Sequence, residues 1–233
     1  MIQFEQRAVA FIDVIGFKPL VGKATHNPSD LFELNQLVTL LQGVIPYLDG
    51  AVDKTIPQPL IPLHLYISDC IILSAPTTIT TPSVPDYNGL DILIMRVIQV
   101  AQHLLDRGYL LRGGIDVGPV WHAGTNIVGP AYQCAYALEG QADCPRVLLS
   151  EAATTLWKST SQRFGNQMCI DYDGKLMVHA LHSYYTPSHY QGNISAARRR
   201  YHDVILKNLN KPLDTKSRGK WEWFERYLTQ TPP

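Results

Sequence analysis

The segment Ala8-Val-Ala-Phe-Ile-Asp13-Val-Ile-Gly16-Phe17 is an apolar run that ends on an aspartate and, three residues later, a glycine. Further on, Leu63-His-Leu-Tyr-Ile-Ser68-Asp69-Cys-Ile-Ile-Leu-Ser74 contains two apolar runs split by Ser68-Asp69. The first reads as a buried strand whose end carries a polar group, the second as a hairpin with an acid at its turn. An ionised carboxylate at the end of a buried strand is costly unless it is paired, hydrogen-bonded or metal-bound. Adjacent strands would bring Asp13 and Asp69 together, and two like charges at close range require a cation between them. Two carboxylates plus substrate phosphates are the usual holders of Mg²⁺ in phosphoryl-transfer sites. Gly16 lets backbone amides approach a phosphate closely, and a helix beginning downstream adds its positive end. Each aspartate taken alone also reads as a turn or cap residue, so the residues by themselves leave both readings open.

Working outward, Asn27-Pro28-Ser29-Asp30 supplies a helix cap, and Leu31, Leu34, Val38, Leu41 and Ile45 recur at helical spacing up to Pro46. Thr55 to Pro62 is a proline-rich connection, and Ala75 to Asn88 a second loop. Leu90 to Leu105 predicts a largely buried helix, and Tyr109–Val117 and Pro119–Ala123 predict strands around Gly118. A helix over Pro130–Gln141, a strand over Val147–Ser150 and an Ala-rich helix over Glu151–Trp157 follow. The remainder gives a hairpin at Asp173-Gly174, a loop with Pro187, a basic helix near Ala196–Leu209 and a Trp/Tyr-rich end. This alternation predicts an α/β (α+β) fold, a mixed sheet covered by helices.

With 233 residues, 45% of them hydrophobic, the chain can bury roughly 70% of its unfolded surface and needs no disulfide or structural zinc. Its 20 basic and 20 acidic residues balance, which removes the overall basic footprint of a nucleic-acid binder. Cys70, Cys134, Cys144 and Cys169 form no CxxC pair, so reduced thiols are expected. Glu5 and Arg7 interrupt any signal-peptide run, and no stretch approaches the ~18 apolar residues of a membrane span. A cytoplasmic protein without membrane or nucleic-acid partners, and without a sensor domain before residue 8, is expected.

Phe11-Ile-Asp-Val-Ile-Gly-Phe17 closely resembles the FxDIxGF signature that opens the catalytic domains of class III nucleotidyl cyclases, the adenylate and guanylate cyclase family. Three further segments match in order: Ile67-Ser-Asp-Cys-Ile-Ile72 resembles the family's second aspartate turn, and Arg112-Gly-Gly-Ile-Asp-Val-Gly-Pro-Val120 its RxGIxxGxV strand pair. Ile127 to Glu139, with Ala142 and Val147 to Glu151, resembles its WGxxVNxAxRLE helix and the strand after it. The resemblance covers about residues 6 to 157. It implies a ferredoxin-type mixed sheet, with a catalytic domain over 1–185 and a C-terminal helical extension of the same domain over 186–233. It further implies that Asp13 and Asp69, with the Val14 carbonyl, hold two Mg²⁺ or Mn²⁺ ions. The amides of Ile15, Gly16 and Phe17 would hold a nucleoside triphosphate, and a homodimer would share its active sites between subunits.

The departures from the pattern bear on the base. Where purine-specific members carry Lys or Glu four residues before the second aspartate, this chain has Leu65, beside Tyr66. Asn126 stands three residues before Gly129 in place of their Asp or Cys, Gln133 replaces the helix Asn, and Ala137 replaces the transition-state Arg. Leu65 and Tyr66 would fill part of a purine-sized pocket, and Asn126 would pair with a pyrimidine edge. The chain thus looks like the stand-alone cyclases of bacterial Pycsar anti-phage defence, which make cUMP or cCMP for a separate effector. UTP is favoured over CTP, and an inactive nucleotide-binding module is the alternative of another class. Arg112 is the residue placed to replace the missing arginine, since a guanidinium suits bidentate oxyanion contact, although an ion pair with a neighbouring acid explains it equally well. Lys175 reads as a solvated turn residue, Arg198-Arg199-Arg200 as a solvated helix face, and His64 and His122 as structural histidines. Tyr132 and Tyr136 share a helix face, for packing or for closing over a base.

Overall fold

The apolar run around Ala8 forms the centre of the molecule. In the computed structural model, which describes residues 1–52, 54–78, 88–160, 168–182 and 186–231, strand β1 (Glu5–Val14) lies between two antiparallel neighbours. After it come α1 (Phe17–Ala24), α2 (Pro28–Gly50), the hairpin β2 (Leu63–Ile67) and β3 (Cys70–Pro76), and α3 (Gly89–Asp106). The chain continues through β4 (Leu111–Ala123), β5 (Asn126–Val128), α4 (Pro130–Gln141), β6 (Val147–Leu149) and α5 (Glu151–Thr160). It ends in the hairpin β7 (Cys169–Tyr172) and β8 (Lys175–Val178), then α6 (Ile194–Leu209) and α7 (Thr215–Gln230).

The sheet runs β2-β3-β1-β4-β6-β8-β7, with β5 folded onto the end of β4. Among the described residues only the β4–β6 pair is parallel, so this is the mixed α/β sheet that the alternation of elements predicts. Strand alternation divides the side chains between two layers. Ala8, Ala10, Ile12 and Val14 face a core built with α2, α3 and α5, while Val9 and Phe11 face α4. Beside α4 on that second face, α7 covers Leu148 of β6 and Met177 of β8. Gly114 allows α4 to sit this close to β4: a Cβ there would lie 2.4 Å from both the Ala135 carbonyl oxygen and the Leu138 Cβ. No helix among the described residues is long and apolar enough to cross a membrane.

Several boundaries depart from the sequence expectation. The two strands expected around Gly118 are one strand, because the glycine keeps its place in the β1 ladder opposite Arg7. Helix α2 continues past Pro46 to Gly50, carried by burial of Val44, Ile45 and Leu48 against the core. Ala75 and Pro76 belong to β3, so the expected loop starts at Thr77, and residues 79–87 of it lie outside the described residues. The unanticipated α1 begins directly after Gly16, whereas the Trp/Tyr-rich end is helix α7, inside the helical extension expected over 186–233.

Candidate active site

Two strand ends build the site. Asp13 pairs with Cys70 across β1 and β3, and Ser68 at the β2–β3 turn adopts a left-handed φ of 59° that brings Asp69 round beside them. The Val14 amide donates to the Asp69 carbonyl oxygen at 3.2 Å, so the backbone itself ties the two acidic residues together. One side-chain ligand atom each from Asp13, Asp69 and Cys70 lie within 4.8 Å of one another. Burial raises the Asp13 carboxyl to about 6, the adjacent Asp69 charge adds to the rise, and a hydrogen bond from Arg112 opposes it. Burial and the same carboxylates push the Cys70 thiol up to about 12, so it stays a neutral thiol. Two of the three donors are hard carboxylates, and these fit Mg²⁺ or Mn²⁺.

Arg112 stands opposite Asp13 in the β1–β4 ladder. Its Nε lies 3.2 Å from Asp13 Oδ2 and 2.6 Å from Glu139 Oε1. Both of these contacts are made by Nε. Glu139 is a buried acid on the α4 face that also buries Ala131 and Ala135, three residues at intervals of four. A lone acid on an apolar helical stripe was the available sequence signal for it.

Of the three amides expected at a phosphate, that of Ile15 is taken: it donates to the Leu110 carbonyl oxygen at 2.9 Å. The Gly16 and Phe17 amides lie at the start of α1, where a helix has no carbonyl of its own for them, and Gly16 takes φ 92° to turn the chain there. The base-side residues separate. Leu65 is buried with Phe11, Ile72 and Tyr132 on the α4 side, the side of Asp13. Tyr66, its neighbour, points through the sheet to the α2/α3 core. The expectation that the two share one pocket fails for the reason that successive strand residues face opposite sides.

Asn126 is exposed and pairs with Ala123, at the far end of β4 from Arg112. At ~3.4 Å per strand residue this is a separation of more than about 30 Å, so a single chain does not bring Asn126 to Asp13. Gln133 and Ala137 are exposed on the outer side of α4. Tyr132 and Tyr136 both flank Phe11, with Tyr136 edge-on at a centroid distance of 5.1 Å. Lys175 lies on the β7–β8 turn, at the sheet edge away from β1. Arg198 is not a solvated residue but caps α7, donating to the Leu228 and Thr231 carbonyls. His122 is buried, its Nδ1 2.7 Å from the Ser74 hydroxyl.

No family model and no curated protein matches the sequence. Among solved structures, a bacterial light-regulated adenylyl cyclase superposes with a TM-score of 0.54 at 15% identity, over 84% of this chain and 58% of that one. The likeness is one of fold. This chain spans little more than half the length of that protein, and its sheet and flanking helices have the arrangement of a class III cyclase fold. The catalytic core of a rhodopsin-guanylyl cyclase with converted specificity aligns at 16% identity, over 75% of this chain and 95% of that one, with a TM-score of 0.48. An adenylate/guanylate cyclase/hydrolase from Silicibacter pomeroyi aligns at 14% identity, over 76% and 96%, with a TM-score of 0.47.

Proposed function

We propose that this chain is a nucleotidyl cyclase that converts UTP to 3′,5′-cyclic UMP and pyrophosphate. The observation that carries the proposal is the convergence of Asp13 and Asp69 at two neighbouring strand ends, inside a cyclase-like fold. Burial raises the Asp13 carboxyl, the neighbouring Asp69 charge adds to the rise, and a cation between the two would relieve the repulsion. Bound there, two Mg²⁺ or Mn²⁺ ions would activate the ribose 3′-hydroxyl and neutralise the departing pyrophosphate. Asp13, Asp69 and the Val14 carbonyl are the holders, and the Gly16 and Phe17 amides with Arg112 take the phosphates. In the reaction the 3′-oxygen forms a bond to the α-phosphorus, the bond to pyrophosphate breaks, and the hydroxyl proton is released.

Leu65 supports a substrate other than a purine: buried on the α4 side, it offers a base no charge and no hydrogen bond. The separation of Asn126 from Asp13 supports a homodimer with shared sites, in which Asn126 and Gln133 reach the base bound by the other subunit. We extend the proposal to production of a messenger for a separate effector in anti-phage defence, CTP being the alternative substrate. A second reading, a binding module without turnover, draws on the uncharged Ala137 on α4.

Incubation of the purified protein with Mn²⁺ and each of the four NTPs, with chromatographic resolution of the products, tests the proposal. A cyclic product from UTP that disappears in Asp69→Ala supports it. A product from ATP or GTP overturns the pyrimidine assignment, and nucleotide binding with no product from any NTP favours the binding module.

A further inference from the structure

Three of the four charged groups of the site, Asp13, Arg112 and Glu139, are carried by segments that join one apolar cluster with helix α7. Ile15 lies two residues after Asp13, Leu110 two before Arg112, and Ala142 three after Glu139. All three join the apolar cluster that α7 builds with Trp221, Trp223 and Phe224. Helix α7 therefore abuts the carboxylate site through the backbone that positions it. It is held in place at its far end, where Arg198 of α6 satisfies the Leu228 and Thr231 carbonyls that the helix leaves unpaired.

Lys220 immediately precedes Trp221 on α7 and is half-buried. Burial and the charges of Arg112 and Lys216 disfavour its ammonium form, and the Asp13 and Asp214 carboxylates favour it. The groups that act on it thus include two charged members of the site. No carboxylate among the described residues lies within ion-pair distance of it. A half-buried ammonium beside a guanidinium, without an anion of its own, is costly until an anion arrives between them. The α4 helix supplies no cation, since Ala137 stands where the resembling family has its arginine.

We propose that Lys220 is a substrate-binding residue that contacts the phosphate chain bound at Asp13, Asp69 and Arg112, so that α7 of the same chain provides the positive charge missing from α4. The inference rests on the cyclase reading for the identity of the anion as a nucleoside triphosphate. Lys216, one turn earlier on the same helix face, adds to the same positive wall.

Calorimetric titration of inorganic pyrophosphate into the full chain with Mn²⁺, alongside steady-state kinetics with UTP, tests it. Lys220→Ala should weaken pyrophosphate binding roughly ten-fold or more and raise KM for UTP, because a charge-assisted hydrogen bond is lost. Lys220→Arg should recover most of the binding, and Lys211→Ala, an exposed lysine between α6 and α7, should leave it unchanged. Should Lys220→Ala melt early, Lys220→Met keeps the aliphatic stem and reads the same contact. Pyrophosphate binding by the variants within about two-fold of the parent, or a parent that binds no pyrophosphate, overturns the assignment. A parent that makes no cyclic product, yet loses pyrophosphate binding in Lys220→Ala, keeps the lysine assignment while the cyclase reading fails. A parent that makes cyclic UMP unaffected by Lys220→Ala has the opposite meaning.

Discussion

Arg112 Nε lies 3.2 Å from Asp13 Oδ2, across the β1–β4 ladder, and the same nitrogen reaches Glu139 on α4. One guanidinium thus balances two acids, the half-buried Asp13 at the end of β1 and the buried Glu139 on the helix behind it. A cation bound between Asp13 and Asp69 would take over part of this balancing role and free Arg112 for phosphate.

Removing that guanidinium leaves the half-buried Asp13 and the buried Glu139 without their shared cation. Arg112→Ala should lower stability by about 2–3 kcal/mol, less than a fully buried pair because Arg112 is partly exposed. Thermal melts should show the loss shrinking when Mn²⁺ is added, since the ion restores a positive charge; an identical loss with and without Mn²⁺ would count against a metal site here.

The Asp13–Asp69 pair should cost stability in the metal-free protein. Asp69→Asn should raise the melting temperature, by on the order of 1 kcal/mol in stability, while removing Mn²⁺ binding and turnover together. A variant that melts lower and keeps its Mn²⁺ affinity would contradict this account.

Two histidines, the buried His122 and the half-buried His179, set an acid limit on the fold. Burial first, with Arg7 and His64 adding, lowers His122 to about 4. Burial, His182 and Arg198 lower His179 to about 4, and its Nδ1 is hydrogen-bonded to the Tyr227 hydroxyl. Between their ordinary value near 6.5 and about 4, the unfolded chain binds protons that the folded chain does not, so stability falls as pH falls through that window. Each histidine contributes at most ~1.4 kcal/mol per pH unit there. Chemical denaturation at pH 7 and pH 5 should show the slope reduced in His122→Gln and in His179→Gln.

Gly114→Ala should be strongly destabilising, by about 3 kcal/mol or more, because the new methyl would meet the Ala135 carbonyl oxygen and the Leu138 Cβ at 2.4 Å. The strain falls on the contact that seats Glu139, so the variant should also lose activity at temperatures where it remains folded. Melting and turnover measured together check both parts.

Sharing of sites between subunits makes a complementation prediction. Asp69→Ala and Asn126→Ala, each inactive alone, should recover about a quarter of parental activity when unfolded and refolded as an equal mixture. Half of the dimers are then mixed, and each mixed dimer carries one intact site. No recovery would place Asn126 outside the site.

The strand ending at Asp13, the acidic turn at Asp69 and the helix over Pro130–Gln141 were legible because each is local: an apolar run, an interruption by a charge, a proline at a helix start. The bounds of the helix within the Trp/Tyr-rich end were not legible in its own residues, and neither was α1. Both elements owe their form to what they pack on, and aromatic-rich or short segments carry little periodicity of their own. Leu65 and Tyr66 show the same limit at the site. Adjacent in sequence, they read as one pocket, and the pleat sends them to opposite faces of the sheet.

By itself the sequence determined which residues carry the unusual charges, because a lone aspartate inside an apolar run is visible without any partner. Only the tertiary structure decided which charges meet. Asp13 and Arg112 are 99 residues apart, and Asp13 and Cys70 are 57 apart. Their encounter depends on strand register, which is set by burying one whole face of each strand at once rather than by any residue near the site. The contact proposed for Lys220 would arise for the same kind of reason: burial of the aromatic face of α7 fixes where its charged edge lies, which its neighbours in sequence do not announce.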